Sequence, residues 1–217
     1  MNNNNISDNN GKVLNAQYWE TQYQNKSIGW DLGGISPALQ IYIDNLKNKS
    51  SAVLIPGCGN TYEAEYLIEQ GFTNITVIDI APTLVLNLRE KFNGNSNIAI
   101  ILGDFFEHQG HYDIIIEQTF FCALEPALRQ DYARKMNELL TTDGILFGLL
   151  FNRQFDIGPP FGGSQEEYRS IFQNEFNILQ LELCLNSAAP RANTELFIEL
   201  KKVNSLEGML SKKKNNL

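Results

Sequence analysis

The 217-residue chain contains 43% hydrophobic residues and carries a formal net charge of -8 at pH 7. This length is enough for one domain with a substantial core. An acidic chain lacks the basic surface that nucleic-acid phosphates require, so we expect no nucleic-acid partner. No apolar run reaches the roughly 18 residues of a membrane-spanning helix, so we expect no membrane partner. Three scattered cysteines (Cys58, Cys122 and Cys184) do not make a disulfide framework, which favours a reduced, cytoplasmic compartment.

The two ends of the chain are predicted to lie outside the folded domain. The first segment, MNNNNISDNNGK, is Asn-rich and lacks both the basic start and the apolar core of a signal peptide. Residues 1–16 are therefore predicted to form a disordered lead, and residues 204–217 a loose basic tail. A single domain is predicted over residues 17–203.

Short apolar strands alternate with helical patterns along this domain. SAVLIP, NITVIDI, NIAIILGD, YDIIIEQ and GILFGLLF predict five strands whose near-continuous Ile, Leu and Val content is typical of burial on both faces. Helices are predicted over residues 61–70, 83–92 and 126–140, and over QEEYRSIFQNE. FNILQLELCLN and TELFIEL predict two closing strands, with SAAPRAN as a hairpin connector. The pattern predicts a doubly wound α/β sheet with an antiparallel end, and leaves the strand order open.

The first strand runs into two closely spaced glycines, Gly57 and Gly59, in VLIPGCGNTYEA. A phosphate-binding loop would continue with Gly-Lys-Ser or Gly-Lys-Thr, which this stretch lacks. The dinucleotide fingerprint needs a third glycine where the chain has Tyr62. Glu63 and Glu65 add negative charge to the first helical turn, which disfavours a pyrophosphate there. A tight strand-to-helix turn without a ligand remains the alternative.

Two acids follow the second and third strands, at the edge of the sheet where ligands bind in this architecture. Asp79 follows Gly57 by 22 residues, as does the acid that binds ribose hydroxyls in nucleotide-binding folds. Asp104, in GDFF, can accept from an adenine amino group while Phe105 covers the purine face; the alternative is a simple turn cap. An adenosine without a diphosphate, ending in a sulfonium, suits these residues, so we expect S-adenosylmethionine. The loop residues expected to cradle it are Gly57, Cys58 and Gly59.

Four segments together resemble a known family. They are YWETQYQNKSIGWDLGGISPAL, VLIPGCGNTYEA, the run from GDFFEHQ to GLLF, and GPPFGGSQEEY. They resemble the thiopurine methyltransferase family, and are most similar to its branch of plant and microbial halide and thiol methyltransferases. The resemblance spans about residues 18–201. It implies a class I S-adenosylmethionine-dependent methyltransferase with a Rossmann-like, seven-stranded sheet, mostly parallel with an antiparallel C-terminal strand, and helices on both faces.

The resemblance also implies roles for individual residues. Trp19, Tyr23 and Trp30 match an amino-terminal aromatic lid, predicted over residues 17–40. Gly57, Asp79, Asp104 and Phe105 match the loop, ribose and adenine contacts of the cofactor. Gln118 stands where thiopurine enzymes usually have Arg and plant halide enzymes often have Tyr. We therefore expect Gln118 to position the acceptor or the cofactor and to affect acceptor choice.

The aromatic trio has a physical interpretation of its own. Helical spacing alone favours core packing for Trp19 and Tyr23. A sulfonium changes that balance, because each well-placed aromatic face attracts a cation by roughly 0.5–2 kcal/mol. A lid over the cofactor would also exclude water from the reaction.

The predicted reaction is in-line methyl transfer to a small thiol, a thiol-like anion such as hydrosulfide or thiocyanate, or a halide. Such acceptors need alignment rather than a base. No metal is expected, since Glu107, His108 and His111 lack a strong ligand pattern, and Cys122 is expected to be a packed thiol. A nicotinamide-dependent oxidoreductase and a non-catalytic adenosine-binding module remain alternatives. A monomer is the expected state.

Overall fold

A seven-stranded sheet lies at the centre of the computed structural model, which describes residues 13–203. The α-helices of this part of the chain are α1 (Ala16–Gln24), α2 (Pro37–Asn45), α3 (Tyr62–Glu69), α4 (Pro82–Lys91), α5 (Arg129–Leu139) and α6 (Gln165–Phe172). The strands are β1 (Val53–Pro56), β2 (Ile75–Asp79), β3 (Ile98–Leu102), β4 (Tyr112–Gln118), β5 (Leu140–Phe151), β6 (Phe176–Leu183) and β7 (Glu195–Lys202). Most of the lead predicted over residues 1–16 and all of the tail predicted over residues 204–217 lie outside the described residues.

The strand order across the sheet is β3-β2-β1-β4-β5-β7-β6. The pairs β1–β2, β2–β3, β1–β4 and β4–β5 are parallel, whereas β7 is antiparallel to both β5 and β6. The predicted doubly wound sheet with its antiparallel C-terminal strand is therefore confirmed. Because the chain moves outward from β1 to β3 and then returns to place β4 on the other side, the switch point lies between β1 and β4. Ligands bind outside such a point.

Alternation along the central strands sends side chains into two apolar layers. Ile115 of β4 belongs to one cluster, whereas its neighbours Ile114 and Ile116 belong to the other. The first cluster contains Tyr132 of α5 and Phe172 of α6, and the second is covered by α2, α3 and α4. Successive strand residues point to opposite faces, so a strand buried on both faces reads as continuous Ile, Leu and Val. The predicted helices on both faces are confirmed.

The structure corrects the helix predicted over residues 126–140. Pro126–Leu128 forms a short 3-10 turn, and α5 ends at Leu139. Leu140 begins β5, because it pairs with Tyr112 of β4 across a register shift. The sequence also gave no helix at Pro37–Asn45, where Pro37 stands in the first turn of α2 and Leu39 and Ile43 are fully buried.

Candidate active site

A cavity of about 1380 Å³ lies at the carboxyl ends of the parallel strands. It exceeds the roughly 300–1,000 Å³ of a typical small-molecule pocket, so it has room for a cofactor and an acceptor together. All ten residues predicted from the sequence line it. They are Trp19, Tyr23, Trp30, Gly57, Cys58, Gly59, Asp79, Asp104, Phe105 and Gln118.

The two glycines of the loop after β1 are required for different reasons. Gly57 and Gly59 both have positive φ, 54° and 51°, a conformation that residues with a Cβ adopt at a cost. A Cβ on Gly57 would in addition lie 2.2 Å from Cδ2 of Phe120, whereas a Cβ on Gly59 would meet only the Tyr23 hydroxyl at 3.5 Å. The Phe120 ring therefore packs directly on Gly57, and the space beside Gly59 stays open toward the lid.

Asp79 connects the glycine loop to α4. Its carboxylate accepts from the backbone N–H of Gly59 at 3.2 Å and from that of Ala81 at 3.0 Å. Burial raises the pKa of Asp79, and the backbone hydrogen bonds act in the opposite direction. A carboxylate has about four lone-pair sites. Asp79 can thus hold the loop and still accept from a ligand in the cavity that it lines.

Asp104 caps the turn that follows β3. It accepts from the backbone N–H of Phe106 at 2.9 Å, so the turn-cap interpretation is correct. The same carboxylate is exposed and lines the cavity, and its further lone pairs leave the adenine contact possible as well. Phe105 is only 5% exposed and packs against Phe120, with ring centroids 5.1 Å apart, so it offers the cavity a small part of its ring.

The aromatic residues of the predicted lid pack on one another. Trp19 and Tyr23 lie on α1, which ends at Gln24, before Lys26 adopts a positive φ. Trp30 then folds back and meets both rings edge to face, at centroid distances of 5.6 Å from Trp19 and 5.9 Å from Tyr23. The break in the helix at NKSIG is as predicted, and the three side chains form one aromatic wall of the cavity.

Two acids attach this amino-terminal segment to the residues that begin α3 and α4. Glu20 of α1 accepts from the backbone N–H of Thr83 at 2.8 Å, in the first turn of α4. Asp31 accepts from the hydroxyl of Tyr62 at 3.0 Å and from the side-chain amide of Asn60. The first contact lies at the N-terminus of α4, where negative charge is favourable. The second joins Asp31 to two other residues of the cavity lining.

Arg191 is a site residue that the sequence did not single out. It follows Pro190 in SAAPRAN, which pattern alone predicts as a connector. Its guanidinium is buried, donates to the carbonyl oxygen of Trp30 at 2.6 Å and pairs with Glu195 at 3.2 Å. It also lies 5.3 Å from the ring centroid of Phe151, a cavity residue at the end of β5. An Arg in a short connector between two strands was the only sequence signal for it.

Gln118 ends β4 and brings an amide to the cavity. Its side-chain nitrogen and oxygen are both buried, and neither has a hydrogen-bond partner among the described residues. A buried polar group without a partner is costly, roughly 1–3 kcal/mol. Such a group at a cavity wall is one that a bound molecule can satisfy.

Glu117, next to Gln118, points away from the cavity and fixes the loop after β4. It is fully buried and accepts from the backbone N–H groups of Phe120 and Phe121 at 2.8 and 2.9 Å, and from the hydroxyl of Tyr132 at 2.6 Å. Burial raises the pKa of its carboxyl to about 7. Because it holds the backbone of Phe120, this buried acid fixes the position of the Phe120 ring, which packs on Gly57. The sequence analysis missed it, because an acid in a strand end gives no sign of its partners.

The phenylalanines after β4 and β5 divide between the cavity and the core. Phe120, Phe151 and Phe155 line the cavity, whereas Phe121 is 1% exposed within the core.

Cys122 is buried, its thiol donates to the carbonyl of Thr119 at 3.2 Å, and burial raises its pKa. These facts fit the packed thiol that was expected.

Neither histidine lines the cavity. His108 instead bonds the hydroxyl of Tyr112 at 2.8 Å. Within residues 13–203, no group of three or more His, Cys, Asp and Glu side chains is arranged to hold a metal ion. The same range contains no helix with the length and apolar content needed to cross a membrane.

Comparison with known proteins decides the family. A family model for thiopurine S-methyltransferase matches residues 14–203. The chain belongs to the thiopurine S-methyltransferase family. It is accordingly an S-adenosylmethionine-dependent methyltransferase, and membership in this family decides against the nicotinamide-dependent and non-catalytic alternatives that the sequence left open.

Individual proteins resemble this chain in sequence or in fold. "Probable thiol methyltransferase 2" of Arabidopsis thaliana is 30% identical over 159 residues, covering 70% of this chain and 70% of the relative. Thiocyanate methyltransferase 1 of Brassica oleracea is 26% identical over 194 residues, covering 86% and 85%. The fold matches the crystal structure of a Burkholderia thailandensis 1,6-didemethyltoxoflavin-N1-methyltransferase with bound S-adenosylhomocysteine, at a TM-score of 0.70, 16% identity and 87% coverage of each chain.

Proposed function

We propose that this thiopurine S-methyltransferase family member transfers a methyl group to a small, anionic thiol, to hydrosulfide or thiocyanate, or to a halide. The observation that carries the proposal is the partnerless amide of Gln118, which is buried at the wall of the cavity. The acids after β2 and β3 line the same cavity, as do Phe120, Phe151 and Phe155. S-adenosylmethionine supplies the electrophilic methyl group when bound. The protein aligns the acceptor with it and excludes water.

The cofactor half of the cavity fits this cofactor. Asp79 would accept from the ribose hydroxyls and Asp104 from the adenine amino group. Gly59 has no side chain, and a Cβ there would meet only the Tyr23 hydroxyl, so the cofactor has room to approach the backbone of the loop. Trp30 and its aromatic neighbours would face the sulfonium, which aromatic faces attract. The close packing of Phe120 on Gly57 supports the shape of the loop in this half.

The acceptor half would lie between Gln118 and the rings of Phe151 and Phe155, which line the cavity at and after the end of β5. The amide N–H groups of Gln118 would donate to the incoming anion, and the phenyl rings would replace its water. The relatives named for thiol and thiocyanate methylation support an acceptor of this kind. A soft anion is already nucleophilic, so the proposal assigns no general base to the acceptor half.

Glu63 is the competing candidate for a base. It lines the cavity from the first turn of α3, it is buried, and burial raises its pKa to about 7. The test is the pH dependence of transfer to iodide and to two thiols of different pKa, each below saturation. We expect a nearly flat profile with iodide, and thiol profiles that shift with the pKa of the acceptor.

Glu63→Gln should leave these profiles unchanged. A common inflection near pH 7 for both thiols, abolished by Glu63→Gln, would instead make Glu63 the base. An equally steep profile with iodide would require a titrating group of the protein, and the direct attack of an anionic acceptor would have to be abandoned.

We also propose that the protein acts as a monomer in a reduced, cytoplasmic compartment. Cys58, Cys122 and Cys184 are free, buried thiols, as in a reducing environment. All of the cofactor contacts proposed above come from one chain, so the site needs no second copy.

A further inference from the structure

The acceptor side of the cavity has an exposed cation at its rim, Arg153, which the proposed reaction does not use. Arg153 lies two residues after the end of β5 and lines the cavity. Its guanidinium lies over the ring of Phe155, 4.7 Å from the centroid. No acidic side chain of residues 13–203 forms an ion pair with it.

The backbone around Arg153 is held in place. Its carbonyl oxygen accepts from the N–H of Gly163 at 3.0 Å, and the preceding Asn152 donates to the carbonyl of Thr194 at 2.7 Å. Gly162 packs so closely here that a Cβ would lie 1.8 Å from the Arg153 oxygen. The start of this side chain is therefore fixed at the rim, although the side chain itself reaches solvent.

The second arginine that lines the cavity differs from Arg153. Arg191 is buried and its charge is matched by Glu195. Between the two guanidinium groups lie the rings of Phe151 and Phe155, which meet edge to face with centroids 5.1 Å apart. These two rings, the Phe151–Phe155 platform, thus lead from the interior of the cavity to an arginine without an acidic partner.

We infer that the physiological acceptor is a thiol that carries a carboxylate, with its apolar body on the Phe151–Phe155 platform and its carboxylate paired with Arg153. This inference rests on the proposed methyl transfer to an anionic thiol. The thiolate sulfur forms the new bond to the methyl carbon, while the bond from that carbon to the sulfonium sulfur breaks and leaves its electron pair on S-adenosylhomocysteine. The carboxylate is unchanged, so the product is a thioether that keeps it.

The test compares 4-mercaptobenzoate with thiophenol, which lacks the carboxylate, and with iodide. Each is assayed at low ionic strength and at a pH where both thiols are ionised. Arg153→Gln should lower kcat/KM for 4-mercaptobenzoate by about two- to fivefold, the range for an exposed charge pair, and mainly through KM. Arg153→Glu should lower it further. Transfer to thiophenol and iodide should not change, and added salt should reduce the difference between acceptors.

Arg169→Gln is the matched control, because Arg169 is exposed on α6, forms no ion pair in the described range and lies outside the cavity lining.

Calorimetry gives a second readout: 4-(methylthio)benzoate should bind wild type more tightly than Arg153→Gln, whereas thioanisole should not distinguish them. An equal loss with thiophenol, or no loss with 4-mercaptobenzoate, would overturn the inference while leaving methyl transfer intact. Failure to methylate all three acceptors would overturn the proposed function as well.

Discussion

Arg191 donates a 2.6 Å hydrogen bond to the carbonyl oxygen of Trp30, and thereby joins the connector between β6 and β7 to the amino-terminal segment that was predicted to be a lid. The same guanidinium pairs with Glu195, which is 2% exposed. One buried side chain thus serves two purposes. It pairs with an acid within the fold, and it holds the backbone that carries Trp30 beside the cavity.

Substitution can separate these two purposes. Arg191→Met should lower the free energy of unfolding by about 3–5 kcal/mol, because Glu195 is then buried without its cation, and it should also weaken S-adenosylmethionine binding. Arg191→Met with Glu195→Gln should recover much of the stability but not the affinity, since the Trp30 carbonyl still lacks its donor. Chemical denaturation and calorimetry measure the two quantities. An affinity that recovers together with stability would reduce Arg191 to a structural role.

The glycine loop provides a matched pair of substitutions. Gly57→Ala and Gly59→Ala both place a Cβ at a positive φ, a strain of roughly 1–2 kcal/mol. Only at position 57 does that Cβ overlap Phe120. We therefore expect Gly57→Ala to reduce cofactor affinity or stability clearly more than Gly59→Ala. Adding Phe120→Ala to Gly57→Ala should remove most of the difference in stability; if it does not, the ring is not the obstacle.

Asp79 should matter for the cofactor beyond its backbone contacts. Asp79→Asn should weaken S-adenosylmethionine binding by roughly 1.5–3 kcal/mol, the value of a hydrogen bond to a charged group. Asp113 is the control, because its carboxylate, like that of Asp79, accepts hydrogen bonds from two donors. These are the backbone N–H of Ala52 at 2.9 Å and the hydroxyl of Thr141 at 3.0 Å. Asp113 lies outside the cavity lining. Calorimetry should show normal affinity in Asp113→Asn. Equal losses in both variants would mean that only loop geometry was disturbed.

The pKa of Glu117 predicts how stability depends on pH. Burial raises this pKa from 4.5 to about 7 in the folded protein, so the folded state binds the proton more tightly than the unfolded chain. The stabilising contribution is fully present below about pH 4.5 and is lost as the pH rises through about 7. Wild type should thus lose stability relative to Glu117→Gln across this window, by on the order of 3 kcal/mol.

Urea denaturation of both proteins at several pH values measures this difference. Glu63, whose pKa is also raised to about 7, titrates in both proteins and cancels from the comparison. Curves that run parallel from pH 4 to 8 would show that folding does not raise the pKa of Glu117.

Local features of the chain were enough to predict much of the fold and ten of the residues that line the cavity. Runs of Ile, Leu and Val marked β1 to β5. In the inner strands β1, β2 and β4 these side chains are buried on both faces, whereas in the edge strand β3 Ala99 and Leu102 are exposed. The pair Gly57 and Gly59 marked the turn, because a positive φ is easiest for glycine. Asp79 and Asp104 could be selected because parallel strands bring their carboxyl ends to one edge of the sheet.

The remaining features depend on partners distant in the chain, and only the tertiary structure determined them. The strand order and the β1–β4 switch point follow from how the elements pack together, which no single segment encodes. Leu140 reads as the end of a helix until its pairing with Tyr112 makes it the start of a strand. Glu117 and Arg191 are ordinary charged residues in sequence. Their roles arise from Tyr132 and Trp30, which reach them only when the chain has folded, because a buried charge is defined by the groups that surround it.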